Sequence, residues 1–352
     1  MRAMRARTAL AGGAALALIL AGCSGSEGTQ TELAGSWDEI VAAANDEGTV
    51  TLYSTHSPTN LEALKTAFEA EYPDITLEYV RGTDADILPK IEVENQTGTG
   101  VADVHMTTDA GWISRSLDNP DFSMEVVAPN LDNPDFQSDN SVIDDKFFVT
   151  SATVFGLGWN TDSVPDGLST PDDVIDPKFA GKVGVQNPNG IATYVDMYQT
   201  IDADYGDGFV ERLAEASPRI YASNVAVTQA LASGEIWAAP MAGSTVLTEK
   251  AKGAPVDFTL PDKPFGVPWY THILGSAPSP NAAQVLSNFL ISQAGQEAIS
   301  ADFVAALPDI PGASAVDGTT VTAQEFGLAD QEGLDPESVA AYQAEWEAQF
   351  MG

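Results

Sequence analysis

The sequence predicts an α/β protein of two lobes, each a mostly parallel sheet flanked by helices. Three observations carry this. Short apolar, β-prone runs alternate with stretches of helical apolar spacing, the order expected of parallel strands joined by crossover helices. Polar turns recur at the passages from strand to helix in both halves of the chain. A length of 352 residues corresponds to about two domains of ordinary size.

The N-terminus stands apart from this body. Arg2, Arg5 and Arg7 precede an apolar run over residues 9–20, the order of a secretory signal, and about a dozen apolar residues are too few to span a bilayer. Leu20-Ala21-Gly22-Cys23 resembles the lipobox of bacterial lipoproteins. That resemblance implies removal of residues 1–22 and a lipid on Cys23 that anchors the protein to the cell membrane, on its outer face or periplasmic side. Cys23 is the one cysteine of the chain, so the mature protein is expected to have no disulfide and no thiol nucleophile. Residues 23–36, rich in Ser, Gly, Thr and Glu without periodicity, read as a flexible tether. With 15 Lys+Arg against 51 Asp+Glu and a formal net charge of −36, the surface repels nucleic-acid phosphates and anionic headgroups. Nucleic acid is therefore not an expected partner, and membrane attachment falls to the lipid.

The folded body is organised around residues 50–68, VTLYSTHSPTNLEALKTAF. Val50, Leu52 and Tyr53 form an apolar strand run, and Leu61, Leu64 and Phe68 recur at helical spacing. Thr59 and Glu62 have the T-x-x-E spacing of a capping box, which puts the helix start at Thr59. The turn presents Ser54, Thr55, His56 and Ser57 at the carboxyl end of a strand, where open α/β sheets bind ligands. Before it, Trp37, Ile40 and Val41 start a short helix. After it, Pro73 closes the helix, Ile75, Leu77 and Tyr79 alternate as a strand, and 84–95 reads as a helix. A third strand over 102–107 ends in Thr107, Thr108 and Asp109, ahead of a helix around Trp112.

Between 117 and 145 the pattern gives way to Asp, Asn and Pro. The hexapeptide LDNPDF occurs twice there, but without the D-x-[DN]-x-[DN]-G order of a calcium loop, so the stretch reads as an acidic surface loop. Residues 147–159 are apolar and β-prone, suited to carry the chain from one lobe into the other. The second lobe then reads as a strand at 182–185, helices at 190–201, 209–216 and 225–233, a strand at 236–241 and a helix at 244–252 stopped by Gly253. Strands at 256–260 and 267–274 carry the chain back. An amphipathic helix follows at 281–292, and Asp335-Pro336 starts the last helix.

Catalytic signatures are lacking. No G-x-S-x-G, H-E-x-x-H, Walker loop or G-x-G-x-x-G occurs, which weighs against the commonest hydrolases, metalloproteases and nucleotide enzymes. Ser54, His56 and Asp109 compose a triad only on paper. The three histidines, His56, His105 and His272, fall in first-lobe segments; a metal cluster with Asp103 or Asp109 is conceivable, and hydrogen-bonded core histidines are the simpler expectation. What does recur is polar turns offering hydroxyl and N–H donors: 54–57, 107–109, 187–193, Ser223-Asn224 and 243–245.

The stretches VTLYSTHSPTNLEALKTAFEAEYP, TGTGVADVHMTTDAGWI, GLGWNTDSVP, DDVIDPKFAGKVGVQNPNG, QALASGEIWAAP and APSPNAAQVLSNFLISQAGQEA resemble the extracellular solute-binding proteins of ABC importers. Within these the resemblance is to the branch containing ferric-ion-binding proteins, and it runs from about Gly48 to the C-terminus. It implies the type II periplasmic-binding-protein fold, a hinged, monomeric clamp that closes on a solute and delivers it to permease subunits, with no enzymatic step and no cofactor. The implied lobes are 37–150 plus 262–305 and 151–261 plus 306–352, with crossing segments near 150–155 and 256–266. The implied ligand residues are Ser54, Thr55, His56, Ser57, Thr108, Asp109, Trp159, Asn189, Gly190, Thr193, Ser244 and Thr245, holding a small polar or anionic solute. Ferric binders of that branch use two adjacent tyrosines where this chain has Ser244-Thr245, and many use a histidine where it has Ser57. Iron, or an iron chelate, is thus the alternative ligand, through another set drawn from Tyr53, Tyr194, Tyr198, Tyr221 and Tyr270. A surface hydrolase or metal enzyme is the reading of a different class.

Overall fold

The computed structural model describes residues 33, 35–189, 191–206, 208–301, 303–310, 321–327 and 335–352. Residues 1–32, with the segment expected to be a signal and Cys23, and Gly190 lie outside the described residues. The first lobe opens with α1 (Trp37–Glu47), β1 (Thr49–Ser54), α2 (Pro58–Glu71), β2 (Thr76–Arg81), α3 (Asp84–Thr97), β3 (Val104–Thr107) and α4 (Ala110–Leu117). Two short strands, β4 (Ser123–Met124) and β5 (Val142–Ile143), lie in the acidic stretch, and β6 (Phe147–Asn160) leads out of it.

The second lobe holds α5 (Pro171–Val174), β7 (Gly184–Gln186), α6 (Ala192–Tyr205), α7 (Phe209–Glu215), β8 (Arg219–Tyr221) and α8 (Asn224–Ala232), followed by β9 (Ala238–Ala242), α9 (Gly243–Ala251) and β10 (Val256–Thr259). The chain returns through β11 (Phe265–Leu274) to α10 (Pro280–Leu290), α11 (Gln293–Ile299) and β12 (Val304–Ala305), and ends in α12 (Pro336–Met351).

The α/β alternation expected from the sequence is present, but the sheet is mixed rather than mostly parallel. β1 pairs in parallel with β2 and β3, and β7 pairs in parallel with β8. The crossing strands run the other way: β11 is antiparallel to β3, and β6 is antiparallel to β11, β9 and β10. The physical reason is β6. Fourteen residues long and buried except at Thr153, it reaches roughly 45 Å at about 3.3 Å per residue, enough to serve both lobes. Its first half takes β11, Phe147 opposite His272; its second half takes β9 and β10, Trp159 opposite Ala238 and Asp257. One ten-stranded sheet therefore runs through the molecule.

The register between β6 and β11 slips between Trp269 and Tyr270, which leaves Thr150 as a bulge residue. Its groups are satisfied: the hydroxyl donates to Trp269 O (3.1 Å), and the carbonyl accepts from Gln296 Nε2 (2.9 Å). In the second lobe, α6, α7 and α12 bury Tyr198, Phe209 and Trp346 on one face of the sheet, and α8 and α9 bury Leu231 and Val246 on the other. After α11 the chain divides between the lobes. Gln324 donates to Phe136 O and Ala306 O on the first-lobe side, whereas α12 packs on α6 and α7.

One boundary differs from expectation. α2 starts at Pro58 with Ser57 as its N-cap, accepting from Asn60 N at 3.2 Å, so Thr59 lies inside the helix. Pro at the first helical position leaves no amide to satisfy there, and the hydroxyl before it wins the cap over the Thr59–Glu62 pair.

Candidate functional site

An open cleft of about 810 Å³ lies where the two lobes meet. From the first lobe it is lined by Asp84 at the start of α3 and by Thr108, Asp109 and Arg115 at and along α4. Across from these, α6 supplies Thr193, Asp196, Gln199 and Thr200. Phe265 to Pro268 of the crossing strand β11, with Glu325 and Phe326 of the returning segment, complete it.

The first-lobe wall is held by a short relay. Asp109 caps α4, its Oδ1 accepting from Trp112 N at 2.7 Å. Its own N–H donates to Thr107 Oγ1 (3.0 Å), and that hydroxyl donates to Asp84 Oδ1 (3.1 Å). Burial pushes the Asp84 carboxyl above its usual range, with a further push from the charge of Asp109. Opposite, burial pushes Asp196 up to about 6, opposed by a bond from the Thr200 hydroxyl. Removing a carboxylate from water disfavours its charged form, and a neighbouring negative charge does the same.

Of the residues singled out in the sequence, Thr108, Asp109 and Thr193 line the cleft. Ser54 is buried at the end of β1, accepting from His56 N. Thr55 is half-buried, and Ser57 serves as the α2 cap. His56 is buried between Trp269, at 3.9 Å ring to ring, and Phe303 at 4.8 Å, with its Nε2 3.5 Å from Ser151 Oγ on β6. Burial depresses its pKa to about 3, so it is a neutral ring packed behind the crossing strands.

In the second lobe, Trp159 belongs to the core, and Asn189 is exposed and hydrogen-bonded to Glu347. Ser244 is half-buried in the first turn of α9. Thr245 Oγ1 is taken up by Asn224 Nδ2 (2.7 Å) and the Thr228 hydroxyl (2.6 Å). His105 and His272 are core residues on paired strands, Nδ1 to Nε2 at 3.1 Å, with Ser123 Oγ on the far nitrogen of His272 at 2.8 Å. Among the described residues no group of three or more His, Cys, Asp or Glu side chains could hold a metal ion.

The bacterial extracellular solute-binding protein family matches residues 63–325. The chain belongs to this family. Among solved structures this family member is similar to iron-bound HitA from Pseudomonas aeruginosa, with 18% identity, a TM-score of 0.65 and coverage of 85% of this chain and 99% of that one. It is also similar to FutA from Trichodesmium in complex with iron and citrate (18%, TM-score 0.62, 86% and 98%). A third is the periplasmic binding protein AfuA from Actinobacillus pleuropneumoniae with fructose-6-phosphate bound (18%, TM-score 0.60, 87% and 99%). At such identities the likeness is one of fold, and it is the two-lobed periplasmic-binding-protein fold. No curated protein matches the chain. Membership implies an extracytoplasmic location, and no described helix is long and apolar enough to cross a membrane.

Sequence reasoning missed Asp84, Asp196, Gln199 and Phe326 as cleft residues of this solute-binding protein. For Asp84 a signal was present, since it sits just beyond the carboxyl end of β2 at the start of a helix, as Asp109 does beyond β3. Asp196 and Gln199 lie inside α6, and Phe326 comes from a segment remote in sequence, so only the fold brings them to the cleft.

Proposed function

We propose that this protein is the substrate-binding lipoprotein of an ABC importer, catching a small polar solute in the cleft and presenting it to permease subunits. The observation that supports this most directly is the polar cleft between two lobes of a solute-binding fold, spanned by β6 and β11. In this reading the lobes close by bending near the Thr150 bulge and residues 256–266. The first lobe comprises 37–150 and 262–305 together with 321–327, and the second comprises 151–261 together with α12. Thr108, Asp109 and Thr193 are solute contacts. Ser57 and Thr245 serve their own helix starts and neighbours, Ser54, His56 and Trp159 serve the core, and the protein acts as a monomer without catalysis. Residues 1–22 are a signal peptide, and 23–36 tether the body to a lipid on Cys23.

Iron is the alternative, and the tyrosines speak against it. None lines the cleft among the described residues. Tyr53, Tyr194, Tyr198, Tyr221 and Tyr270 each donate their hydroxyl elsewhere, to Glu94, Asn224, Gln186 O, Glu235 and Asn140 O. Burial raises all five phenol pKa values, with Tyr53, Tyr221 and Tyr270 pushed to about 12, away from the phenolate that Fe(III) favours.

The test is a melting screen of the full chain over amines, carboxylates, sugar phosphates and ferric chelates, with each stabilising compound recovered afterwards. A solute that raises Tm and is returned unchanged supports the reading; turnover of the bound compound, or a coloured stoichiometric ferric complex, would overturn it. For the anchor, Cys23→Ser should release the protein from the membrane fraction, and retention would refute the lipid.

A further inference from the structure

We infer that the cleft takes a solute of net positive charge, an organic amine or quaternary ammonium compound. This rests on reading the cleft as the solute site and goes one step further, to the charge of what enters. Asp84, Asp109, Asp196 and Glu325 line the cleft, against one guanidinium, Arg115. The protein is acidic everywhere, so the proportion alone decides nothing; the placement of these carboxylates does, with Asp84 and Asp109 on one wall, Asp196 on the other, and Asp84 and Asp196 half-buried. Acidic groups on an open surface keep their water, whereas Asp84 and Asp196 have given much of it up, as burial raises the pKa of both.

None of the four is in an ion pair among the described residues. Asp84 has the Thr107 hydroxyl as its hydrogen-bond partner, and Asp109 presses on it with like charge rather than relieving it. A carboxylate part-way out of water with no cation beside it is held at a cost. That cost is offset when a positive group arrives, and it grows when a negative one does.

The two facing walls sharpen the selection. Asp84 and Asp109 stand on the first lobe and Asp196 on the second, so closure around an anion would bring these charges together over it, with Arg115 as the one cationic side chain in favour among the described lining residues. Closure around a cation would satisfy both walls at once.

The experiment uses the purified full chain at low ionic strength, where charge interactions are least screened. Melting curves are taken with 1,4-diaminobutane, spermidine and tetramethylammonium as cation probes, and with citrate, inorganic phosphate and fructose-6-phosphate as anion probes. In parallel, the chain is incubated with a small-molecule extract, washed and denatured, and the charge of any released compound is read by mass spectrometry. The expected result is a rise in Tm of about 3 °C or more with a cation probe, the order given by a ligand at about 100 times its Kd, or a released compound that is positively charged at pH 7. Asp196→Asn and Asp84→Asn, which keep shape and hydrogen bonding, should each weaken that binding at least tenfold, while Asp196→Glu should restore most of it.

Stabilisation by an anion probe, or release of an anionic compound, overturns the charge assignment and leaves the solute-binding reading standing. Cation binding that is indifferent to both Asp→Asn variants also overturns it, since it places the cation elsewhere. No shift with any probe and no released compound counts against the solute-binding reading itself, and the charge assignment falls with it.

Discussion

Replacing Gly266 by Ala probes the point where the crossing strand meets the cleft. Gly266 is the second residue of β11, and an ideal Cβ built on it lies 2.6 Å from each of Cγ, Cδ1 and Cδ2 of Phe326. Carbon atoms rest against each other at about 3.5–4.0 Å, so a single methyl requires the ring to retreat by about 1 Å. The ring is not free to do so. Its turn is closed by a capping box between Thr322 and Glu325, and the neighbouring Gln324 side chain is tied to Phe136 O and Ala306 O. Overpacking of this kind costs about 1–3 kcal/mol, and we expect about 2 kcal/mol, seen in urea titrations as a lower midpoint with an unchanged slope. Phe326→Ala removes the obstacle, so Gly266→Ala should cost less than about 0.5 kcal/mol in that background, leaving a coupling of over 1 kcal/mol in the double-mutant cycle. Equal costs in the two backgrounds would show that the ring does not lie on Gly266.

Two further outcomes are expected. Gln296→Leu should destabilise by about 3–5 kcal/mol, because its buried amide serves the carbonyls of Thr150 and Leu290 and the N–H of Ala306, and each orphaned buried group costs about 1–3 kcal/mol. A urea midpoint within error of the parent would refute that role at the bulge. His56→Leu should flatten the acid sensitivity of stability. Folded His56 titrates at about 3 and an unfolded histidine at about 6.5, so the unfolded chain takes the proton first. The contribution of the neutral ring is complete above pH 6.5 and is lost as pH falls below it, by about 1.4 kcal/mol per unit. Asp103 and Asp196, pushed up to about 7 and about 6, give the opposite slope over the same range, so the whole-protein profile mixes the two. The difference between variant and parent isolates His56: between pH 6 and 5 the variant should lose about 1.2 kcal/mol less, and parallel profiles would refute the burial of a neutral ring.

How much of this was legible in the sequence depended on the range of the interaction concerned. Periodicity over ten or so residues is a local property, and the strands and helices of both lobes, with the crossing stretch at 147–160, follow from it. Helix ends were legible where one capping side chain dominated, as at Ser223 and Asp335, and misplaced where two competed, as at Ser57 and Thr59. Some short elements escaped, among them α5, β8 and α11. The site divided along the same line. Asp109 announced itself because a polar residue between a strand and a helix is local information, but the same rule drew in Ser54, Thr245 and Asn189, whose side chains or neighbours are satisfied within their own turns or by nearby helices. A turn's polarity serves its own helix start first, and whatever capacity remains goes to a ligand. Asp196 shows the converse. It sits in the second turn of α6, where no cap or strand end marks it, and nothing in its neighbours reveals that burial lifts its carboxyl to about 6. That shift exists only once α6 is packed against α7, α12 and β11, and the same packing sets its carboxyl in the wall of the cleft.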